Sequence, residues 1–211
     1  PGYQDNVSGI VIVSNGSIDA GAGSITIMGR TSEPSWYGVL VYYYGTTIKA
    51  GGDITISGIA AAGGSGWGVN IESGTIWSTA GNISITGTGS SGIYLASQTI
   101  AAGNSTTSPT SGGTITITAT SNNAGYYGFN QNASSIISFD TISITATAIS
   151  NHAYRIEGTG GKVLSASNIT ISATQGTWGL TMYGNTFIQS TKANSASTGN
   201  ISIISSGTRG G

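Results

Sequence analysis

The chain has no cysteine, which excludes disulfide frameworks, thiolate metal sites and thiol nucleophiles at once. Charge is nearly as scarce: 6 Lys+Arg and 7 Asp+Glu among 211 residues give a 6% charged fraction and a net charge of −1. Ordinary soluble domains carry about 25%. With no basic cluster the chain lacks the electrostatic footprint that a phosphate backbone demands, so nucleic acid is not an expected partner. Its single histidine, His152, has no second imidazole for a metal and no serine or carboxylate partner identifiable by spacing. Long apolar runs are missing too. The longest, Tyr37 to Tyr44, is interrupted by Gly38 and falls far below the roughly 18 residues of a bilayer span, so no membrane insertion is expected. No signal peptide opens the chain, which begins at Pro1, the expectation being a processed product or a piece of something longer.

What is abundant is glycine, 35 residues, together with Ser, Thr, Asn and enough apolar residues (37%) to bury. Their arrangement is periodic. A short motif recurs as Gly23-Ser-Ile-Thr-Ile27, Gly52-Asp-Ile-Thr-Ile56, Gly81-Asn-Ile-Ser-Ile85, Gly113-Thr-Ile-Thr-Ile117, Asp140-Thr-Ile-Ser-Ile144, Ser167-Asn-Ile-Thr-Ile171 and Gly199-Asn-Ile-Ser-Ile203. Its first isoleucines are 29, 29, 32, 27, 27 and 32 residues apart, a repeat of about 28 residues with insertions. A second apolar landmark follows in each unit at Val39, Val69, Ile93, Phe129, Tyr154 and Leu180, and a third at Ile48, Ile76, Ile100, Ile136, Val163 and Phe187.

Within each segment the side-chain period is two, so one unit presents an apolar side that it cannot bury alone. Stacking the units places Ile25, Ile54, Ile83, Ile115, Ile142, Ile169 and Ile201 in one interior column. The prediction is an all-β fold: a parallel β-solenoid of about seven coils of ~28 residues, three short strands each, forming a single domain over 1–211 with incomplete coils at both ends. Helices are excluded because glycine at this density costs about 1 kcal/mol per helical site, and a propeller blade needs about 40 to 50 residues. The insertions at Ala101–Gly112 and Gln189–Thr198 leave the repeat register intact, so both are expected as exposed loops on one corner. Neither end carries a capping segment, so a segment of a longer array, or ends covered by like neighbours, is expected.

Tandem Gly-Asn-Ile-Ser-Ile-Thr-Gly and Gly-Asp-Ile-Thr-Ile-Ser-Gly units, followed by Ser-Gly-Ile-Tyr-Leu or Gly-Trp-Gly-Val-Asn-Ile and then Gly-Thr-Ile, resemble the shaft repeats of filamentous-haemagglutinin-like bacterial exoproteins. The resemblance covers roughly residues 9 to 205. It implies a right-handed parallel β-helix, a secreted or cell-surface location, and a stalk or filament function in an adhesin. The partners it implies are a host or neighbouring-cell surface, including glycans, and adjoining repeats or like subunits end to end. The family's amino-terminal secretion domain is absent from these residues.

β-Helix proteins also include polysaccharide lyases and hydrolases, which need clustered carboxylates. Here Glu72 and Glu157 share an outward column but lie three coils apart, about 14 Å at about 4.8 Å per coil, and Asp53 and Asp140 fall in different columns. No catalytic residue, metal site or cofactor is expected. Arg155 and Glu157 project from one face as an expected exposed ion pair. Two surface features carry alternative functions. Tyr37, Trp67, Tyr127 and Trp178, with Ser91 and His152 in the same column and Tyr94 beside it, form a ladder of rings. Stacking would stabilise the solenoid by about 0.5 to 1.5 kcal/mol per pair, or the rings could serve as a glycan-binding platform. An outward row of hydroxyls, Thr26, Thr55, Ser84, Thr116, Ser143 and Thr170, is either a plain solvated sheet face or an ice-binding array. Among the Asn-x-Ser/Thr triplets only Asn104 lies in an expected loop where a glycan acceptor would stand.

Overall fold

The computed structural model describes residues 8–13, 15–42, 45–190 and 199–208. Those residues form nineteen strands and no helix, and the strands pair in parallel throughout. The strands that begin at the Gly-x-Ile motif make one seven-stranded sheet, the first face: Ile25–Arg30, Ile54–Ile59, Ile83–Gly89, Ile115–Ser121, Ile142–Thr147, Ile169–Thr174 and Ile201–Ser205. The seven motif isoleucines are register partners from coil to coil. From Ile54 to Ile169 they are essentially inaccessible to water, and the sequence-predicted column is therefore the spine of a β-solenoid.

The recurring Asp or Asn before the motif isoleucine has a physical cause. The Asp53 carboxylate accepts the Asn82 backbone N–H at 2.7 Å, the Asn82 amide oxygen accepts the Thr114 N–H at 2.9 Å, and Asn168 does the same for Asn200 at 2.9 Å. Each side chain ties its coil to the next through a backbone group that begins a strand and would otherwise face solvent.

The second and third faces form one twelve-stranded sheet. In five coils they are separate short strands, for example Phe129–Asn132 and Ser135–Ser138. In two coils, Trp67–Ser78 and Ser91–Ala102, a single twelve-residue strand serves both faces, because pairing continues through Gly74 and Gln98 across the corner. Every coil turns this corner through a residue with a left-handed φ: Asn15 57°, Gly45 81°, Ser73 58°, Ser97 53°, Ala133 47°, Gly158 81°, joined in its turn by Gly160 at 83°, and Gly184 73°. The corner between the first and second faces is tight. Inward positions Gly29, Gly58, Gly87, Ala119, Ala146 and Ala173 are register partners, and a Cβ on Gly58 would lie 1.9 Å from the Gly68 carbonyl oxygen.

Two details of the interior differ from the sequence reading. In the last described third-face strand the inward residue is Ile188, paired with Val163, while Phe187 pairs with Lys162 and is 42% exposed. A turn closed by the Thr186 N–H on the Gly184 carbonyl shifts the strand by one residue, and a period of two sends Phe187 outward. The tube is also not wholly aliphatic. Phe129 and Tyr154 stack inside it at 4.7 Å, and the Tyr154 hydroxyl donates to the buried Gln131 amide oxygen at 2.5 Å. The Gln131 amide nitrogen donates to the Ser134 and Lys162 carbonyls, so this polar insertion is fully paired. Burial pushes the Tyr154 phenol well above its usual range.

Candidate functional site

Glycines at 38, 68, 92, 128 and 179 let the chain pass the tight corner into the second face, and the residue just before each occupies one column along the solenoid. That column is the predicted ladder. Trp67 pairs in register with Ser91, and His152 with Trp178. Tyr127 stacks on His152 at 5.7 Å and His152 on Trp178 at 4.7 Å. Where the small Ser91 interrupts the column, the Trp67 and Tyr127 rings from the coils on either side still lie parallel, with centroids 6.3 Å apart. Tyr94 leans on Trp67 at 5.2 Å. Tyr37 meets Trp36 edge-on and makes no such stack among the described residues. Apart from buried His152, the rings are partly accessible, Trp178 most so at 37%.

Beside the ladder runs an outward row whose register partners are Leu40, Asn70, Tyr94, Asn130, Arg155 and Thr181. The next outward row contains Glu72, Ala96, Asn132 and Glu157. Arg155 does pair with Glu157, but the two side chains are only 26% and 22% exposed, so the pair is half-buried rather than exposed as expected. The cause is the rings around it. Arg155 donates to the Tyr127 hydroxyl at 2.9 Å and its guanidinium lies 5.5 Å and 5.2 Å from the Tyr127 and Tyr183 ring centres. His152 has a partner that spacing did not reveal, the Thr181 hydroxyl at 2.8 Å from Nδ1. Burial, then the Arg155 charge, hold its pKa below the usual value, against a smaller opposing pull from Glu157.

Four buried side-chain polar atoms have no hydrogen-bond partner among the described residues, and all four belong to this strip: Asn70 Oδ1, Ser91 Oγ, Asn130 Oδ1 and Arg155 Nε. Alternation along the strands places Asn70 and Asn130 outward, but spacing carries no sign that their side-chain oxygens are buried.

The predicted hydroxyl row stands on the first face in strict register, Thr26, Thr55, Ser84, Thr116, Ser143 and Thr170. Thr86, Thr118, Thr145 and Ser172 run parallel to it, followed by Thr88, Thr120, Thr147 and Thr174. Met28, 70% exposed, and Ile59, 43% exposed, interrupt these added rows in the first two coils.

The insertion at 103–112 leaves Ile83 and Ile115 paired and its residues 104–112 are exposed or partly exposed, as expected, and it also lies against the third face. Trp77 Nε1 donates to the Gly103 carbonyl at 2.7 Å, and Thr107–Thr110 border a groove of about 240 Å³ against Ile137 and Leu164. Asn104 is exposed, but its side-chain amide is engaged within the loop, donating to Thr110 Oγ1 and accepting from the Thr110 N–H, each at 2.9 Å. Most of the second insertion, residues 191–198, lies outside the described residues.

Glu72 and Glu157 occupy one row three coils apart, and among the described residues no three His, Asp or Glu side chains converge. Compared with protein-family models, with curated proteins and with solved structures, the chain matches none.

Proposed function

We propose that this chain is a rigid rod, a shaft or stalk segment of a secreted or cell-surface bacterial adhesin or filament. The observation that supports the reading is continuity: one isoleucine row passes in unbroken register through all seven first-face strands. Such a row stiffens a tube because each coil buries its neighbour's apolar face. At the last described coil the same row stands uncovered, with Ile201 44% and Ile203 45% exposed. The reading includes contact of this exposed apolar row with a like chain end to end.

Electron microscopy and small-angle scattering test the rod, which should extend about 34 Å for seven coils at about 4.8 Å each. Antibody labelling of intact producing cells tests the location. A compact particle of unchanging size, or label that appears only after lysis, overturns the reading.

A further inference from the structure

The geometry of the first face points to a binding site for ice. In four adjacent strands, Ile83–Gly89, Ile115–Ser121, Ile142–Thr147 and Ile169–Thr174, every outward position from Ser84 to Thr174 is Ser or Thr, and each is exposed or partly exposed. The same four coils are mixed elsewhere. Their outward partners are Tyr94, Asn130, Arg155 and Thr181 on the second face and include Lys162 and the exposed Phe187 on the third. Uniform hydroxyls are therefore a property of one face and not of the coil. Nor does the protein engage them. Ser78, Ser138 and Ser165 turn their hydroxyls onto backbone carbonyls, whereas within the array the hydrogen bonding among the described residues is a single contact, Thr147 to Thr120, at 3.5 Å.

The pairing of these strands runs residue for residue, so the hydroxyls form a net with two fixed spacings. Neighbouring strands lie about 4.8 Å apart and same-face residues about 6.7 Å apart along a strand, each within about a tenth of the two perpendicular oxygen repeats on a prism face of hexagonal ice. Each hydroxyl donates and accepts as a lattice water does, and each threonine methyl gains by leaving liquid water for the gap between lattice oxygens. One such contact is weak, because it exchanges water–water for protein–water hydrogen bonds. Many made at once by a rigid sheet are not, and Ile85, Ile117 and Ile171 hold this sheet from inside without any exposure to solvent. A second copy would gain little here, since two hydroxyl sheets bury scarce apolar surface. The array has limits. Met28 (70% exposed) and Ile59 (43%) interrupt its rows in the first two coils and Ile204 (59%) in the last. Molecules adsorbed on ice pin the growing front between them, and the curvature of that front lowers the freezing point while the melting point stays in place.

Nanolitre osmometry of the whole chain, which reads the gap between melting and freezing of a single ice crystal, tests the site. The gap should grow with protein concentration, and the crystal should develop prism facets. Thr118→Tyr and Thr145→Lys, in the middle of the array, should each remove most of it, whereas Thr75→Tyr on the third face should leave it unchanged. Melting followed by circular dichroism should change little in all three, because these are outward strand positions and tyrosine is a good strand former. A gap no larger than that of serum albumin at equal concentration, a gap that survives both first-face substitutions, or an equal loss in Thr75→Tyr overturns the inference. So does a dimer in sedimentation that Thr118→Tyr dissociates, which would assign the face to a second copy. None of these results bears on the length of the rod, so this inference and the proposed function fail separately.

Discussion

His152 shows how one residue answers to its neighbours in other coils. Its ring is clamped between Tyr127 and Trp178 and faces Arg155, so the neutral form is the one the fold accommodates. A histidine whose folded pKa is depressed contributes stability that is fully present above its unfolded value, about 6.5. That contribution is lost as pH falls through the folded value, since protons then favour the unfolded chain. The urea midpoint followed by circular dichroism should therefore drop between pH 8 and pH 5. His152→Phe, which keeps the stack and removes the titration, should reduce that drop; an unchanged pH profile in the variant would refute the assignment. The sequence placed this residue in the ring column but could not supply the burial, because the rings that cover it come from the preceding and following coils.

The corner between the second and third faces is the element that the sequence disclosed least evenly. Asn15, Gly45, Gly158 and Gly184 are residues that accept a positive φ readily; Ser73, Ser97 and Ala133 are not, yet they adopt it. They do so because the paired strands on both sides fix the turn, and the strain of one left-handed residue, about 1 to 2 kcal/mol, is smaller than the loss of register would be. Ala133→Gly relieves that strain and should stabilise the protein by up to about 1 kcal/mol, after the entropy that glycine adds to the unfolded chain is subtracted. Chemical denaturation checks this, and a destabilised variant would mean that the Ala133 methyl packs more usefully than its backbone is strained. The third-face strand Phe187–Ser190 teaches the complementary lesson. Apolar residues stand at both 187 and 188, so spacing alone could not choose between them, and a turn closed between Gly184 and Thr186 made the choice.

At the scale of the molecule, the solenoid presents three different surfaces on one repeating frame: a hydroxyl sheet, an aromatic and polar strip, and a third face partly roofed by the 103–112 loop. Among the described residues the isoleucine row is least covered in the last coil. If the exposed isoleucines of the last coil mediate end-to-end contact, association should rise with concentration, and Ile203→Lys should abolish it by placing a charge in the contact. Because Ile203 is already 45% exposed, the melting temperature of the isolated rod should hardly change. Sedimentation velocity across a concentration series distinguishes the outcomes; a monomer at every concentration in the unsubstituted protein would remove the end contact from the rod reading.

The sequence by itself determined the coil, because a fixed interval between isoleucines and an alternation of two leave only one way to bury every unit's apolar side. It likewise determined which columns point outward, including the ring ladder and the hydroxyl rows. Tertiary structure alone decided what those columns touch. That Arg155 and Glu157 are half-covered, that Gln131 and Tyr154 pair inside the tube, and that four polar atoms are enclosed without partners along one strip all depend on side chains from different coils. Such contacts join residues some 23 to 36 positions apart, and periodicity along the chain specifies the rows without specifying how neighbouring side chains lean across them.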